Sequence, residues 1–311
     1  MLVSVCTPTF NRRPFIPTMF KCFQHQDYTG PIEWIIVDDG TDKIEDLIVS
    51  SGIPNIKYYK LDEKITLGKK RNLMHTYAKG DIIIYMDDDD YYPPERISHA
   101  VTMLQMNPTI LCAGSSILYT YFKDIDKIVQ FGPYGPNHAT AATFAFKKEL
   151  LSITSYQEES SMAEEKHFLK NYTIPILQLD PTKVILVISH KHNTFDKQTL
   201  LNGENTSVVK YTQLKLDQII KNKELYDFYK QQIHTELVDY KLGEPSMKPD
   251  VIEHMNRIKQ ERNFVIKFGD KILKGNEIIQ HLNYQQQYIK LLTDKINKLE
   301  NELNTLNGRH N

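Results

Sequence analysis

The chain of 311 residues carries 38 Lys and Arg against 39 Asp and Glu, a formal net charge of −1. That balance excludes a general electrostatic attraction to nucleic acid or to an anionic membrane. Three widely spaced cysteines, Cys6, Cys22 and Cys112, supply neither a disulfide framework nor a zinc-ligand spacing.

Leu2 to Cys6 predicts a first strand, with Cys6 a small core hydrophobe, and Thr7-Pro8-Thr9-Phe10-Asn11-Arg12 a polar turn before a helix to about Gln26. Ile32 to Val37 predicts a second strand that stops at Asp38-Asp39-Gly40-Thr41-Asp42. A helix through Ile44, Leu47 and Ile48 and a third strand from Ile56 to Leu61 follow. Gly68-Lys69-Lys70-Arg71-Asn72 then leads a helix to Ala78. Strand and helix alternating at this spacing imply βαβ units and a mainly parallel sheet.

The run Ile82-Ile83-Ile84-Tyr85-Met86 lacks the alternation of a half-exposed strand, so it reads as a buried parallel one. Asp87-Asp88-Asp89-Asp90 follows at once, before Pro93 and Pro94. Open α/β sheets bind ligands beyond the carboxyl ends of their strands. In extended backbone Asp87 and Asp89 share one face, and two close carboxylates repel unless a cation lies between them. A divalent-metal site is the reading favoured over a solvated acidic loop. The clusters at Asp38-Asp39 and Asp87 to Asp90 fall on one sheet edge if their strands are parallel.

Beyond the four Asp, the pattern predicts a helix from Pro94 to Met106, a short strand at Ile110 to Cys112, and a hairpin pairing Ile117–Phe122 with Lys127–Phe131. A turn-rich loop holds Asn137 and His138, and a strand spans Ala142 to Lys147. A helix containing Met162 to Leu169, strands near Ile174 to Leu179 and Val184 to Ile188, and the run His190-Lys191-His192-Asn193-Thr194 complete this part. From about Leu201 strand signals give way to a helical composition rich in Lys, Glu, Gln and Tyr. Near the end, Leu282, Ile289, Ile296 and Leu303 occupy heptad position a, and Ile278, Leu292, Leu299 and Leu306 position d, with Gln285 the one polar d. This predicts a coiled coil, with a parallel dimer favoured and Lys295 at g able to meet Glu300 at e of a second copy.

In order and separation, Val3 to Arg12, Ile36 to Asp42, Gly68 to Asn72 and Asp87 to Asp90 resemble the nucleotide-sugar half of family-2-like glycosyltransferases of the GT-A fold. The resemblance covers about the first 200 residues; the last hundred match nothing in it. It implies an α/β, Rossmann-like GT-A domain over 1–200; beyond it, composition and the heptad pattern predict a helical extension over 201–275 and a coiled coil over 276–307 that makes a homo-oligomer through 278–306.

It also implies a metal-dependent, inverting transfer of one sugar from a nucleoside-diphosphate sugar, a UDP-sugar foremost. The acceptor hydroxyl would belong to a glycan, a protein or a small molecule. The family's DxD motif lands on Asp87-Asp88-Asp89. Asp89 is then the direct ligand of Mn²⁺ or Mg²⁺, with Asp87 on the ribose or a metal-bound water, and Asp90 structural or helix-capping. The implied donor set comprises Pro8, Phe10, Asn11, Arg12, Asp38, Asp39, Lys69, Arg71, Asp87 and Asp88. In it Asp39 accepts from a uracil-like base, Pro8 and Phe10 line the base pocket, and Arg71 or Lys69 meets the diphosphate.

His190, or His192 as the alternative, closes over metal and pyrophosphate. Asn137 and His138 contact acceptor or sugar. Glu165 takes the position of the general base, where Asp is usual, and Glu164 or Glu159 is the substitute. Dinucleotide-binding and P-loop glycine patterns are missing, as is the QxxRW motif of processive synthases. The expectation is a soluble, cytoplasmic enzyme, since Leu2 begins a strand with no leader-like segment and no apolar run spans a bilayer. The competing classes are a catalytically inactive scaffold of the same fold assembling through its coiled coil, and a sugar-phosphate nucleotidyltransferase.

Overall fold

The structure is a computed structural model that describes residues 1–162, 164–194, 196–201, 206–263, 265–268, 271–274 and 276–307. Its first strands and helices are β1 (Val3–Thr9), α1 (Ile16–Gln24), β2 (Ile32–Asp38), α2 (Glu45–Ser51), β3 (Ile56–Lys60), α3 (Leu67–Tyr77), β4 (Ile82–Tyr85) and α4 (Arg96–Met106). β5 (Cys112–Gly114), β6 (Leu118–Phe122), β7 (Lys127–Phe131), β8 (Ala145–Lys147), α5 (Glu165–Phe168), β9 (Ile176–Gln178) and β10 (Leu186–Ser189) follow.

The main sheet has the order β3-β2-β1-β4-β8-β5-β9. β1 pairs in parallel with β2 and with β4, and β2 with β3. β8 runs antiparallel to β4 and β5. Side chains alternate between its faces: Val3, Val5, Trp34, Ile36, Ile82 and Ile84 enter one apolar cluster, and Cys6, Ile35, Val37, Ile83 and Tyr85 the other. Burial on both faces is why these strands are apolar throughout. Leaving β1, the chain builds outward through β2 and β3 and then returns to place β4 on the other side. The topological switch point, where such sheets bind ligands, therefore lies between the carboxyl ends of β1 and β4.

A second sheet orders β10-β6-β7 and then β11 (Val209–Tyr211). On it pack α6 (Leu216–Ile219), α7 (Lys223–Asp227) and α8 (Ile233–Asp239), through Leu216, Leu225, Phe228, Ile233 and Leu237 against Phe15, Tyr121, Ile128 and Ile188. One compact unit thus runs from Met1 to Val251. The second unit, Ile252–Asn311, takes most of α9 (Pro249–Asn263), the hairpin β12 (Val265–Phe268) and β13 (Lys271–Lys274), and the 32-residue α10 (Asn276–Asn307).

Two local readings of the sequence differ from the structure. The helix expected around Met162 to Leu169 is a single turn, α5, because the chain from Lys170 to Tyr172 takes positive φ and cannot continue it. Strand was not expected past Leu201, yet β11 extends the second sheet, and β12 and β13 pair with each other. These strands are three or four residues long and rich in Lys, so period-2 patterning has little to register.

Candidate active site

A cavity of about 140 Å³ opens at the switch point. Its wall takes Pro8, Thr9, Phe10 and Arg12 from the end of β1, Asp87, Asp88 and Asp89 from the end of β4, and Lys70 and Arg71 from α3. Lys64, Ser161, Thr194, Lys248 and Asp250 also reach it. Five cations share this wall with four carboxylates.

Arg12 is buried and held by two backbone carbonyls, donating to His192 O at 2.8 Å and Gly243 O at 3.1 Å. Thus fixed, it lies 3.2 Å from Asp89 Oδ2 and 3.6 Å from Asp88 Oδ1. His190 Nε2 is 3.3 Å from the same Asp89 oxygen. Burial pushes Asp89 up, but Arg12 and His190 outweigh it and hold the carboxyl below its ordinary range. Asp88, buried and next to Asp89, is pushed up to about 7. Asp87 is raised too, by burial first, with Arg71 opposing. Asp90 turns away: it accepts from Ile188 N at 2.9 Å, while its carbonyl accepts from Tyr229 Oη at 2.7 Å, so it ties β4 to the second sheet.

Arg71 joins two parts of the site. Its Nε donates to Glu164 Oε1 at 2.9 Å, Nη2 lies 3.8 Å from Asp87 Oδ1, and the guanidinium sits over the Tyr85 ring at 4.2 Å. Arg71 Nη1 and Asp87 Oδ1 are buried and, among the described residues, have no hydrogen-bond partner. Glu165, half-buried, is pushed up to about 7 by burial and then by Glu164. Tyr172 is near enough for the Glu165 charge to reinforce the rise that burial gives its hydroxyl. That ring packs 5.2 Å from His138, which lies 4.8 Å from Tyr134. Asn137 is half-buried in the same loop.

The remaining residues expected in the donor set hold the loops. Asp38 accepts from Gly40 N at 2.9 Å and Tyr58 Oη at 2.6 Å. Asp39 pairs with Lys70 and accepts from Ile65 N at 2.9 Å, so both its oxygens are engaged and it stands behind the cavity wall. Asn11, at a φ of 51° that Asn tolerates, bonds Asp42 N at 2.9 Å and Leu242 O at 3.0 Å. Lys69 is exposed and off the wall, whereas Lys70 is buried on it. Counting back from buried Met74 by three and four gives Arg71 and Lys70, a helical period that separates the two lysines. His192 is buried, with neither ring nitrogen hydrogen-bonded among the described residues, 6.1 Å from the Tyr240 ring. Lys64, Ser161, Lys248 and Asp250 carried no signal in the sequence, since each sits in a polar segment without a periodic pattern.

Among the described residues, no group of three or more His, Cys, Asp or Glu converges to hold a metal unaided. The donors present still suit a hard divalent ion. Two neighbouring ligands at about 2.1 Å on an octahedral ion stand about 3 Å apart. Asp89 Oδ2 and His190 Nε2, 3.3 Å apart, meet that spacing, and Asp87 Oδ1, which accepts no hydrogen bond from the described residues, adds a second oxygen and third donor nearby in sequence. Mg²⁺ and Mn²⁺ sites of this kind take the balance from water and substrate phosphate.

The acidic end of β4 thus meets a wall of mixed charge at the switch point of the parallel strands. Residues 4–155 match the family model described as Glycosyl transferase family 2. An uncharacterized glycosyltransferase of Haemophilus influenzae is 26% identical over 109 residues, 35% of this chain and 36% of that one. An Escherichia coli K12 protein assigned as a colanic acid biosynthesis glycosyl transferase, WcaA, is 32% identical over 100 residues, 31% of this chain and 36% of that one. The chain spans about a third of the length of these curated relatives.

Among solved structures, S. aureus TarS 1-349 in complex with UDP-GlcNAc is similar with a TM-score of 0.47 and 20% identity, over 84% of this chain and 73% of that one. The mannosyltransferase PcManGT from Pyrobaculum calidifontis, in complex with GDP-Man and Mn²⁺, is similar with a TM-score of 0.49 and 14% identity, over 84% and 76%. No described helix is long and apolar enough to cross a membrane.

Proposed function

We propose that the protein transfers a single sugar, with inversion, from a nucleoside-diphosphate sugar to an acceptor hydroxyl. A UDP-sugar is the donor we favour. The observation that carries this reading is the meeting of unpartnered, buried Asp87 Oδ1 and Arg71 Nη1 on a cavity wall crowded with both signs of charge. Buried polar atoms without partners are rare, and a wall of both signs suits a diphosphate that travels with a cation.

Asp89, Asp87 and His190 would hold Mn²⁺ or Mg²⁺, which when bound supplies Lewis-acid stabilisation to the departing diphosphate. Arg71 offers its free Nη1 to a phosphate oxygen, while Pro8 and Phe10 border the nucleoside end. On the acceptor side, Glu165 accepts the hydroxyl proton, and Arg71 keeps neighbouring Glu164 ion-paired. Asn137 and His138, with the rings of Tyr134 and Tyr172, would seat the acceptor. The exposed a and d positions of α10 support assembly of copies through that helix.

Sugar release from a panel of nucleoside-diphosphate sugars with Mn²⁺, wild type against Asp89→Asn, tests the reading. The variant should lose about 10²- to 10³-fold in turnover, the scale set by removing one preorganised electrostatic group. Equal turnover would remove Asp89 from the chemistry. Synthesis of a nucleotide sugar from UTP and a sugar phosphate would instead place the protein among nucleotidyltransferases.

A further inference from the structure

The family-2 match ends at residue 155, and after Ser161 and Thr194 the chain reaches its cavity once more at Lys248, Asp250 and Val251. Residues 240–251 cross the ends of β1 and β10 as a strap. Tyr240 Oη donates to Asp42 Oδ2 at 2.8 Å, Asn11 Nδ2 to Leu242 O at 3.0 Å, and Arg12 Nη1 to Gly243 O at 3.1 Å. A Cβ on Gly243 would fall 2.5 Å from Asn11 O, so the strap lies directly on the turn after β1. Farther along, Asp250 Oδ1 is 2.5 Å from Lys64 Nζ, which itself stands over the Phe10 ring.

These contacts carry Lys248 into the cavity wall. The residue is 6% exposed, and its ammonium donates to Thr194 Oγ1 at 2.9 Å. An ammonium has three protons to give, and a hydroxyl brings no charge to offset it. No carboxylate lies within ion-pair distance of it among the described residues, although Asp88 and Asp89 attract it from farther off and Arg12 and Lys64 repel it. A buried cation so placed is costly unless an anion joins it. Arg71 Nη1, also buried and unpartnered, points to the same need from the opposite side of the sequence.

We propose that Lys248 is a donor-binding residue. It reaches the cavity on the 240–251 strap and, with Arg71, grips the diphosphate of the nucleoside-diphosphate donor. This rests on the glycosyltransferase reading above. It also makes the strap part of the active site, so that the donor is held between the first strand and a segment outside the family match.

The test is calorimetry on the full chain with Mn²⁺, using whichever of UDP, GDP, ADP and CDP the wild type binds, together with the matching nucleoside. Lys248→Met should weaken the diphosphate roughly ten- to a hundredfold, the scale of losing a charged hydrogen bond, and leave the nucleoside unchanged. Lys248→Arg should restore most of the loss. Equal diphosphate affinity in wild type and Lys248→Met overturns the inference and leaves the glycosyltransferase reading intact. Binding of none of the four by wild type overturns both. A parallel loss of nucleoside affinity shows a merely structural lysine. Should Lys248→Met not fold, amine-directed labelling of wild type decides: protection of Lys248 by the bound diphosphate supports the grip, and equal labelling rejects it.

Discussion

Glu164 and Glu165 are adjacent in sequence but meet different neighbours. Glu164 is buried and bonded by Arg71 Nε, whereas Glu165 forms no salt bridge among the described residues and is lifted to about 7 by burial and by Glu164, with Arg71 opposing from farther off. A proton acceptor near the working pH suits general-base catalysis, and a carboxylate already paired with arginine does not. The sign follows from the raised value. Below about 7 the Glu165 proton is on and the base is disabled, so kcat/KM should climb about tenfold per pH unit through the acid range and level off above that value. Glu165→Gln should cost about 10²- to 10⁴-fold and flatten the limb. A surviving limb would assign the base elsewhere. Which glutamate was free was not legible in the sequence, because the difference is made by Arg71, some ninety positions earlier. That the acidic run would gather at the end of a buried strand was legible, since four carboxylates straight after an apolar strand have few structural uses; that Asp90 would anchor Ile188 depended on a contact 98 residues away.

Among the elements, α3 carries the cationic side of the cavity, and a stitched loop sets its position. Gly68 N donates to Ser160 O at 2.9 Å, and Asn72 exchanges two 2.9 Å bonds with Tyr156. A Cβ at Gly68 would lie 2.1 Å from Gln157 O, a backbone atom that cannot swing aside. Gly68→Ala should therefore destabilise by about 1–3 kcal/mol, the range of overpacking, and lower turnover further by shifting Lys70 and Arg71. Thermal unfolding and turnover on one preparation check this; unchanged values for both would mean the loop yields freely. The parallel strands β1 to β4 were legible because burial on two faces writes them as unbroken apolar runs. The loop stitched to α3 was not, since Gly, Ser and Gln give the same polar signal in any turn.

Across the whole molecule, the remaining question is what the exposed stripe of α10 is for. Leu282, Ile289, Leu292, Ile296 and Leu299 are 41% to 60% exposed, at the a and d spacing of a two-stranded coiled coil. Covering the exposed half of such a side chain returns about 1 kcal/mol, half of the roughly 1.5–3 kcal/mol for full burial. Ten of them in a pair give on the order of 10 kcal/mol, within the range of about 4–15 kcal/mol that association costs. The balance predicts a dimer that dissociates on dilution rather than a permanent one. Sedimentation velocity across a hundredfold range of concentration should show mass rising from one chain to two, and Ile289→Glu should hold the protein at one. Transfer activity should survive that change, because the cavity is built entirely within residues 8–251. A variant that loses thermal stability with no change of mass would mean that the stripe packs against its own chain.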